Sequence, residues 1–311
     1  MKYTKLYRDQ LEMFKSTTQG KQALRNMFGR KPVSFPRFVK TIKALSSQSV
    51  DGKPLQRTLS EELQWRTLGS PVIFLENEAL VKCLHSSQFN YEKDFAVVPP
   101  FKSFSMSFPE KTVINGVELK SALVSIMTRK EFLDLYGPSV ITLGDVYNTE
   151  YGDDELCISI QFENGFGVID SNFAHISKLT SVLNNNALRP LKNQGTEALD
   201  ALTKIALALC VYHSATDGEK LKKGYPSSTM VFPKGKNKSN YQAITAQYSK
   251  SRLQVSEGEK GRKITHRVPH FRNLRAECFY KKDEYKHLKR GSRWTFVKGV
   301  DLNGSMNTLE Q

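Results

Sequence analysis

The segment from Thr196 to His213 constrains the fold more than any other part of the chain. Leu199, Leu202, Ile205, Ala206, Leu209 and Cys210 recur at helical spacing, and Leu207 and Val211 widen the stripe. A helix apolar on nearly every side must be wrapped by other elements, so this one is expected at the centre of a core. Its longest apolar run, Ile205 to Tyr212, falls far short of the roughly 20 residues that a membrane span requires. A chain of 311 residues is long enough to supply that core, in one large domain or two ordinary ones.

The partners of this helix are expected to be sheet. "FKSFSMSF", Phe101 to Phe108, alternates apolar and polar residues as a half-buried strand does. "LCISIQFENGFGVID" alternates likewise, and its Asn164-Gly165 is a strong short hairpin signal. Helical patterns are read over Tyr3 to Met27, Phe38 to Leu45, Val117 to Met127, Arg129 to Tyr136 and Phe173 to Leu183. Another helix is expected over Thr58 to Leu68, with Ser60, Glu61 and Glu62 as its start signal near the positive end of the dipole. Ser47 to Leu55, with Asp51-Gly52 and Pro54, reads as a loop. The fold class is α+β, with mixed helices around an antiparallel sheet and a small β-rich basic module at the C-terminus.

The net charge of +15 is informative because of where it sits. Gly218 to Lys298 holds 21 Lys and Arg against 6 Asp and Glu, a net of +15, while the rest of the chain balances 25 basic against 25 acidic residues. Such asymmetry points to a polyanionic partner. Lys220 to Arg262 has few large aliphatics and contains "PKGKNKSN", so it reads as an extended or disordered basic arm. Strand-like periodicity returns at Ile264 to Phe271, Arg275 to Tyr280 and Arg293 to Val300. The expected division is a neutral core over 1–217, a basic arm over 218–262 and a β-rich module over 263–311.

In that module basic residues alternate with Phe271, Phe279, Tyr280, Tyr285, Trp294 and Phe296. Cations neutralise phosphates and aromatic faces stack exposed bases, so a single-stranded nucleic acid would use both. The expected contacts are Arg262, Lys263, Arg267, His270, Arg272, Arg275, Lys281, Lys282, Lys286, Lys289, Arg290 and Arg293. Trp294 and Phe296 are expected inside the module, with Arg293 and Thr295 on the opposite face. His266, His270 and His287 have no carboxylate or cysteine at matching spacing, so phosphate contact is favoured over acid–base chemistry. Asp153, Asp154 and Glu155 read as a polar turn before a strand, since adjacent side chains diverge along an extended chain. Cys83, Cys157, Cys210 and Cys278 form no CxxC pair, which argues against a zinc site or a disulfide framework. No metal or cofactor is expected. The charged N-terminus "MKYTKLYRDQLEMF" lacks the apolar core of a signal peptide, and a cytoplasmic protein in a bacterial host is expected.

Three blocks carry a resemblance. They are the ending "PHFR … FYK … RGSRWTFVKG … NG … NTLE", the block "QWRTLGSPVIFLENEALV" from Gln64 to Val81, and "KIALALCVYHSATDGE" followed by "GYPSS". In order along the chain they resemble a phage and mobile-element family whose named members are the second class of type V-A anti-CRISPR proteins. The resemblance implies a protein that recognises the nascent N-terminal peptide of the type V-A nuclease. It would then drive loss of the message under translation. One surface would read the peptide, and the basic module would hold RNA or the ribosome. Two departures stand out: "LRAECFY" replaces the second histidine that many members carry after the His-aromatic-Arg triplet, and "SATDGE" lacks their Pro-Asp. An enzyme is not favoured. The alternatives are a metal-dependent nuclease acting directly on nucleic acid and a DNA-binding protein of a mobile element.

Overall fold

The computed structural model describes residues 10–46, 53–87, 97–114, 116–137, 152–163, 169–177, 194–226, 241–248, 253–257, 263–267, 270–283, 285–287, 290, 294–297 and 300–301. It is α+β, with seven helices and a mixed seven-stranded sheet among these residues. Two compact units divide the chain, and both are discontinuous: residues 1–75, 101–203 and 223–245 form the first, and 76–100, 204–222 and 246–311 the second. This division differs from the expected boundaries at 217 and 262.

The first unit begins with helices α1 (Gln10–Ser16), α2 (Thr18–Phe28) and α3 (Phe35–Ser46). Leu11, Leu24, Phe28, Phe35, Phe38, Val39 and Ile42 bury their side chains in one cluster that also takes Leu59 from α4 (Lys53–Thr67). The single helix expected from Tyr3 is therefore interrupted where Thr17 caps α2, its side chain accepting from the Gly20 amide. Gly20 serves a second purpose. A Cβ there would lie 2.2 Å from the Phe14 carbonyl oxygen, so α2 can leave α1 at this angle only without a side chain at that position. Helix α4 starts earlier than Thr58, with Pro54 in its first turn, where proline's missing N–H costs nothing.

The sheet comprises β1 (Pro71–Phe74), β2 (Ser103–Ser107), β5 (Ala122–Thr128), β6 (Leu156–Glu163), β7 (Ile169–His175), β8 (Leu221–Lys223) and β9 (Gln242–Ala246). Its order is β7-β6-β5-β2-β1-β9-β8. β3 (Val113–Ile114) and β4 (Val117–Glu118) make a separate short hairpin. β1 pairs parallel with β2 and with β9, while the β2, β5, β6 and β7 ladder is antiparallel. Two sequence expectations change here. Val117 to Met127 is not helix but β4 followed, after Leu119 to Ser121, by β5, and Phe173 to His175 completes β7. The segment expected as an arm over 218–262 contributes β8, β9 and β10 (Leu253–Glu257), and β9 lies beside β1 inside the main sheet. The β6–β7 hairpin forms as expected, with Glu163 opposite Ile169; Asn164-Gly165 lies outside the described residues. Helix α6 (Arg129–Tyr136) begins with a reciprocal capping box between Thr128 and Glu131.

The larger departure concerns Ser60, Glu61 and Glu62, which stand in the middle of α4 and are fully buried. Ser60 Oγ donates back to the Gln56 carbonyl at 2.8 Å. β2 is buried on both faces, so its serines do not face water. Ser103 and Ser125 hydroxyls meet at 2.8 Å across β2 and β5. On the adjoining β6, Ser159 Oγ and Gln161 Nε2 donate to Glu61 at 2.8 and 2.7 Å, and Tyr136 Oη of α6 donates to the same carboxyl. Burial pushes the Glu61 carboxyl up, opposed by the Arg57 charge and these donors. One residue on, Glu62 accepts from the Gln10 amide at 3.1 Å and from Arg66 Nε at 3.2 Å, and the Arg66 guanidinium lies 3.7 Å from the centre of the Phe35 ring.

Two stability measurements follow. Glu61→Leu leaves three buried donors without their acceptor and is expected to cost about 3–5 kcal/mol. Glu61→Gln, whose amide oxygen still accepts from Tyr136 and Ser159, is expected to cost less than half of that. Urea unfolding midpoints that rank the two equally would remove the acceptor role. Gly20→Ala should destabilise by about 1–3 kcal/mol through overpacking, against alanine's helix preference of about 1 kcal/mol. A rise in thermal midpoint would refute the close approach.

Candidate nucleic-acid interface

Most described residues of the basic C-terminal segment belong to the second unit. β10 pairs antiparallel with β11 (Lys263–Arg267), which pairs with β14 (Val300–Asp301). A separate ladder joins β12 (His270–Asn273) to β13 (Trp294–Val297), with Phe271 opposite Phe296 and His270 opposite Val297. Between these strands, Glu277–Tyr280 is a 3₁₀ turn and not the expected strand. It is held by Tyr280, whose buried hydroxyl donates to the Leu274 carbonyl at 2.7 Å.

The cations flank this turn. Arg272, Arg275, Lys281, Lys282, Lys286 and Arg290 are all exposed. Arg290 pairs with Glu277, and Lys286 with Asp283 at 2.6 Å. The Arg272 guanidinium rests 5.9 Å from the Phe279 ring centre. Surface pairs of this kind contribute little to stability and exchange readily for a phosphate. Lys263, Arg267 and His270 stand on strands, where the backbone alone is described. Arg262, Lys289 and Arg293 lie outside the described residues, as do the side chains of Trp294 and Phe296. The aromatic half of the expected platform is less open than its sequence suggests: Tyr280 is buried, and Phe279 and Tyr285 are half-buried. What the residues flanking the turn offer outward is chiefly positive charge, which suits backbone phosphates more than bases.

The other candidate groups have structural partners. Asp153 pairs with the buried Arg129 at 2.8 Å, and the Asp153 and Glu155 carbonyls accept from the Lys130 and Arg129 amides at the start of α6. The Glu155 carboxylate accepts from Ser177. The acidic turn thus closes a helix end. No three His, Cys, Asp or Glu side chains converge to hold a metal among the described residues. Cys157 Sγ lies 3.3 Å from His175 Nδ1, a contact between neighbouring strands that sequence spacing conceals until the β6–β7 register is known. It is no activated nucleophile. Burial, with Glu155 nearby, pushes the Cys157 thiol up to about 12, so it stays protonated. Comparison with protein-family models, with curated proteins and with solved structures finds no match.

The second unit also carries α5 (Glu78–Ser86), capped by Asn77, and the end of α7 (Gln194–Ala215). Tyr212 of α7 donates to the Gln247 carbonyl at 2.8 Å. His85 of α5 is pulled down to about 4, first by burial and then by the nearby Lys204 charge, while burial lowers Lys204 itself. The imidazole is neutral in the fold and takes up a proton only on unfolding once the pH drops below about 6.5. Stability should therefore fall from about pH 6.5 towards pH 4 by no more than about 3 kcal/mol from this residue. The difference in unfolding free energy between the parent and His85→Gln, followed across that range, should shift with pH. A pH-independent difference would contradict the buried neutral histidine.

Proposed function

We propose that the protein is an RNA- or ribosome-associated adaptor of the anti-CRISPR kind. It recognises the nascent peptide of a type V-A nuclease and promotes translation-dependent loss of its message in the bacterial cytoplasm. The observation that carries the nucleic-acid half of this reading is the placement of charge. The whole +15 excess falls between Gly218 and Lys298, and six cations are exposed within the short stretch from Arg272 to Arg290. Lysines and arginines so displayed neutralise phosphates and release counterions. The peptide-reading half rests on the sequence resemblance. The metal-dependent nuclease reading draws less support, since Asp153 and Glu155 are engaged at the start of α6.

Truncation at residue 217 would remove β9 from the main sheet, so substitution is the cleaner test. Arg275→Glu, Lys281→Glu and Lys282→Glu combined should weaken RNA binding at least tenfold. The same variant should lower the slope of log affinity against log salt by about 2, given about 0.7 per phosphate contact on a single strand. Ribosome co-sedimentation should fall in parallel, while capture of the nuclease's N-terminal peptide persists. Unchanged RNA and ribosome binding would defeat the reading. Crosslinked cells that yield duplex DNA alone would favour the DNA-binding alternative.

A further inference from the structure

The charge balance outside Gly218 to Lys298 conceals a second division. Residues 1–57 hold 13 Lys and Arg against 3 Asp and Glu, a net of +10, and 58–217 hold 12 against 20, a net of −8. The N-terminal helices are thus as distinct in charge as the C-terminal module. Between Gln10 and Leu45 there are eight basic residues and one acidic residue, Glu12, which is already paired with Lys15 at 2.8 Å.

The helices display this charge outward. Gly20, Leu24 and Phe28 face the apolar cluster from α2, as do Phe35, Phe38, Val39 and Ile42 from α3. Lys21, Arg25, Arg30, Lys31, Arg37 and Lys40 are all exposed. No carboxylate of the described residues pairs with any of them. Lys21 and Arg25 are one turn apart on α2, and Arg37 and Lys40 one turn apart on α3. Arg30 and Lys31 fill the connection between the helices, and the Arg37 guanidinium lies 5.6 Å from the Phe28 ring centre, joining the two rows at the end of α2. Six cations therefore stand on α2, α3 and the connection between them, two helices that share one apolar cluster.

We propose that the exposed basic residues of α2, α3 and their connection form a second nucleic-acid surface, which grips the phosphate backbone of a double-stranded segment. Phe28, Phe35 and Phe38 are buried, so the surface has no stacking faces for splayed single-stranded bases. Its apolar stripe is consumed by the core cluster and leaves Leu45 as an isolated exposed aliphatic, so it lacks the continuous apolar face that an interfacial helix lays into a bilayer. What remains is fixed positive charge on rigid helices, suited to a regular array of phosphates and independent of base sequence. An RNA stem and a DNA duplex share that array. The surface does not depend on the C-terminal module.

The test uses the full-length protein with Lys21, Arg25 and Lys40 changed together to Gln, and separately to Glu, each checked for a native thermal midpoint. Affinity is measured against salt for an RNA stem-loop, a DNA duplex of matching sequence and an unstructured strand. Loss of three duplex contacts should lower the salt slope by roughly 2–3 and weaken duplex binding on the order of tenfold or more, with the Glu set exceeding the Gln set. A larger loss on the stem-loop identifies RNA as the partner, and a larger loss on the duplex identifies DNA. An unchanged slope for both, or a loss confined to the unstructured strand, overturns the proposal. The Arg275/Lys281/Lys282 variant run alongside separates the surfaces. If it alone abolishes binding, the α2–α3 proposal fails; if it has no effect while the α2–α3 variants do, the C-terminal module fails instead.

Discussion

Two adjacent carboxylates in the middle of α4 tie the first unit together. Successive helix positions point about 100° apart, so one helix can address two layers at once. Glu61 faces the sheet and gathers Ser159, Gln161 and Tyr136. Glu62 faces the helices and holds the start of α1 together with Arg66, which in turn covers Phe35 of α3. A buried carboxylate is expensive unless its lone pairs are met, and here each is met by groups from separate elements. Any alternative packing of α4 would leave both buried carboxyl groups without these partners. The polar interior therefore specifies one arrangement where an apolar one would tolerate several.

The blocks that carry the family resemblance acquire physical reasons from the fold. "WRTLGS" is the end of α4, where Gly69 and Ser70 take positive φ and Trp65 donates to the Pro71 carbonyl at 2.9 Å, turning the chain into β1. "HSATDG" is the end of α7, where Asp217 and Gly218 turn with positive φ and the absent Gly218 side chain leaves room for the His213 ring. Both are helix stops. Each turns the chain out of a helix by positive φ at its last two positions. The two basic patches proposed above, one on α2, α3 and their connection and one flanking the 3₁₀ turn, are separated in sequence by an acidic stretch.

Elements with strong periodicity were readable directly. The all-round apolar helix, the β6–β7 hairpin, β2 and α6 follow from spacing of apolar residues and cap chemistry that act within a few residues. The failures share a cause. Val117 to Met127 has apolar runs that suit helix or strand equally, and only the pairing of Ala122 to Met127 between β2 and β6, and of Val117 and Glu118 with β3, decides. Ser60-Glu61-Glu62 imitates a helix start because a cap and a buried polar network use the same residue types. β9 was hidden in a segment that looks like an arm, because a short strand needs only neighbours to supply its core. The C-terminal cations were visible by count, but that Tyr280 turns inward and leaves charge on the outside is a matter of packing.

The sequence by itself determined the class of fold, the central apolar helix and the sign and location of the C-terminal charge, since composition and periodicity are local properties. The tertiary structure decided which polar residues are buried, which strands are neighbours and which cations face outward together. Those properties depend on contacts between residues as far apart as Glu61 and Gln161. Their energies come from desolvation and satisfied hydrogen bonds, and no window along the chain can register them.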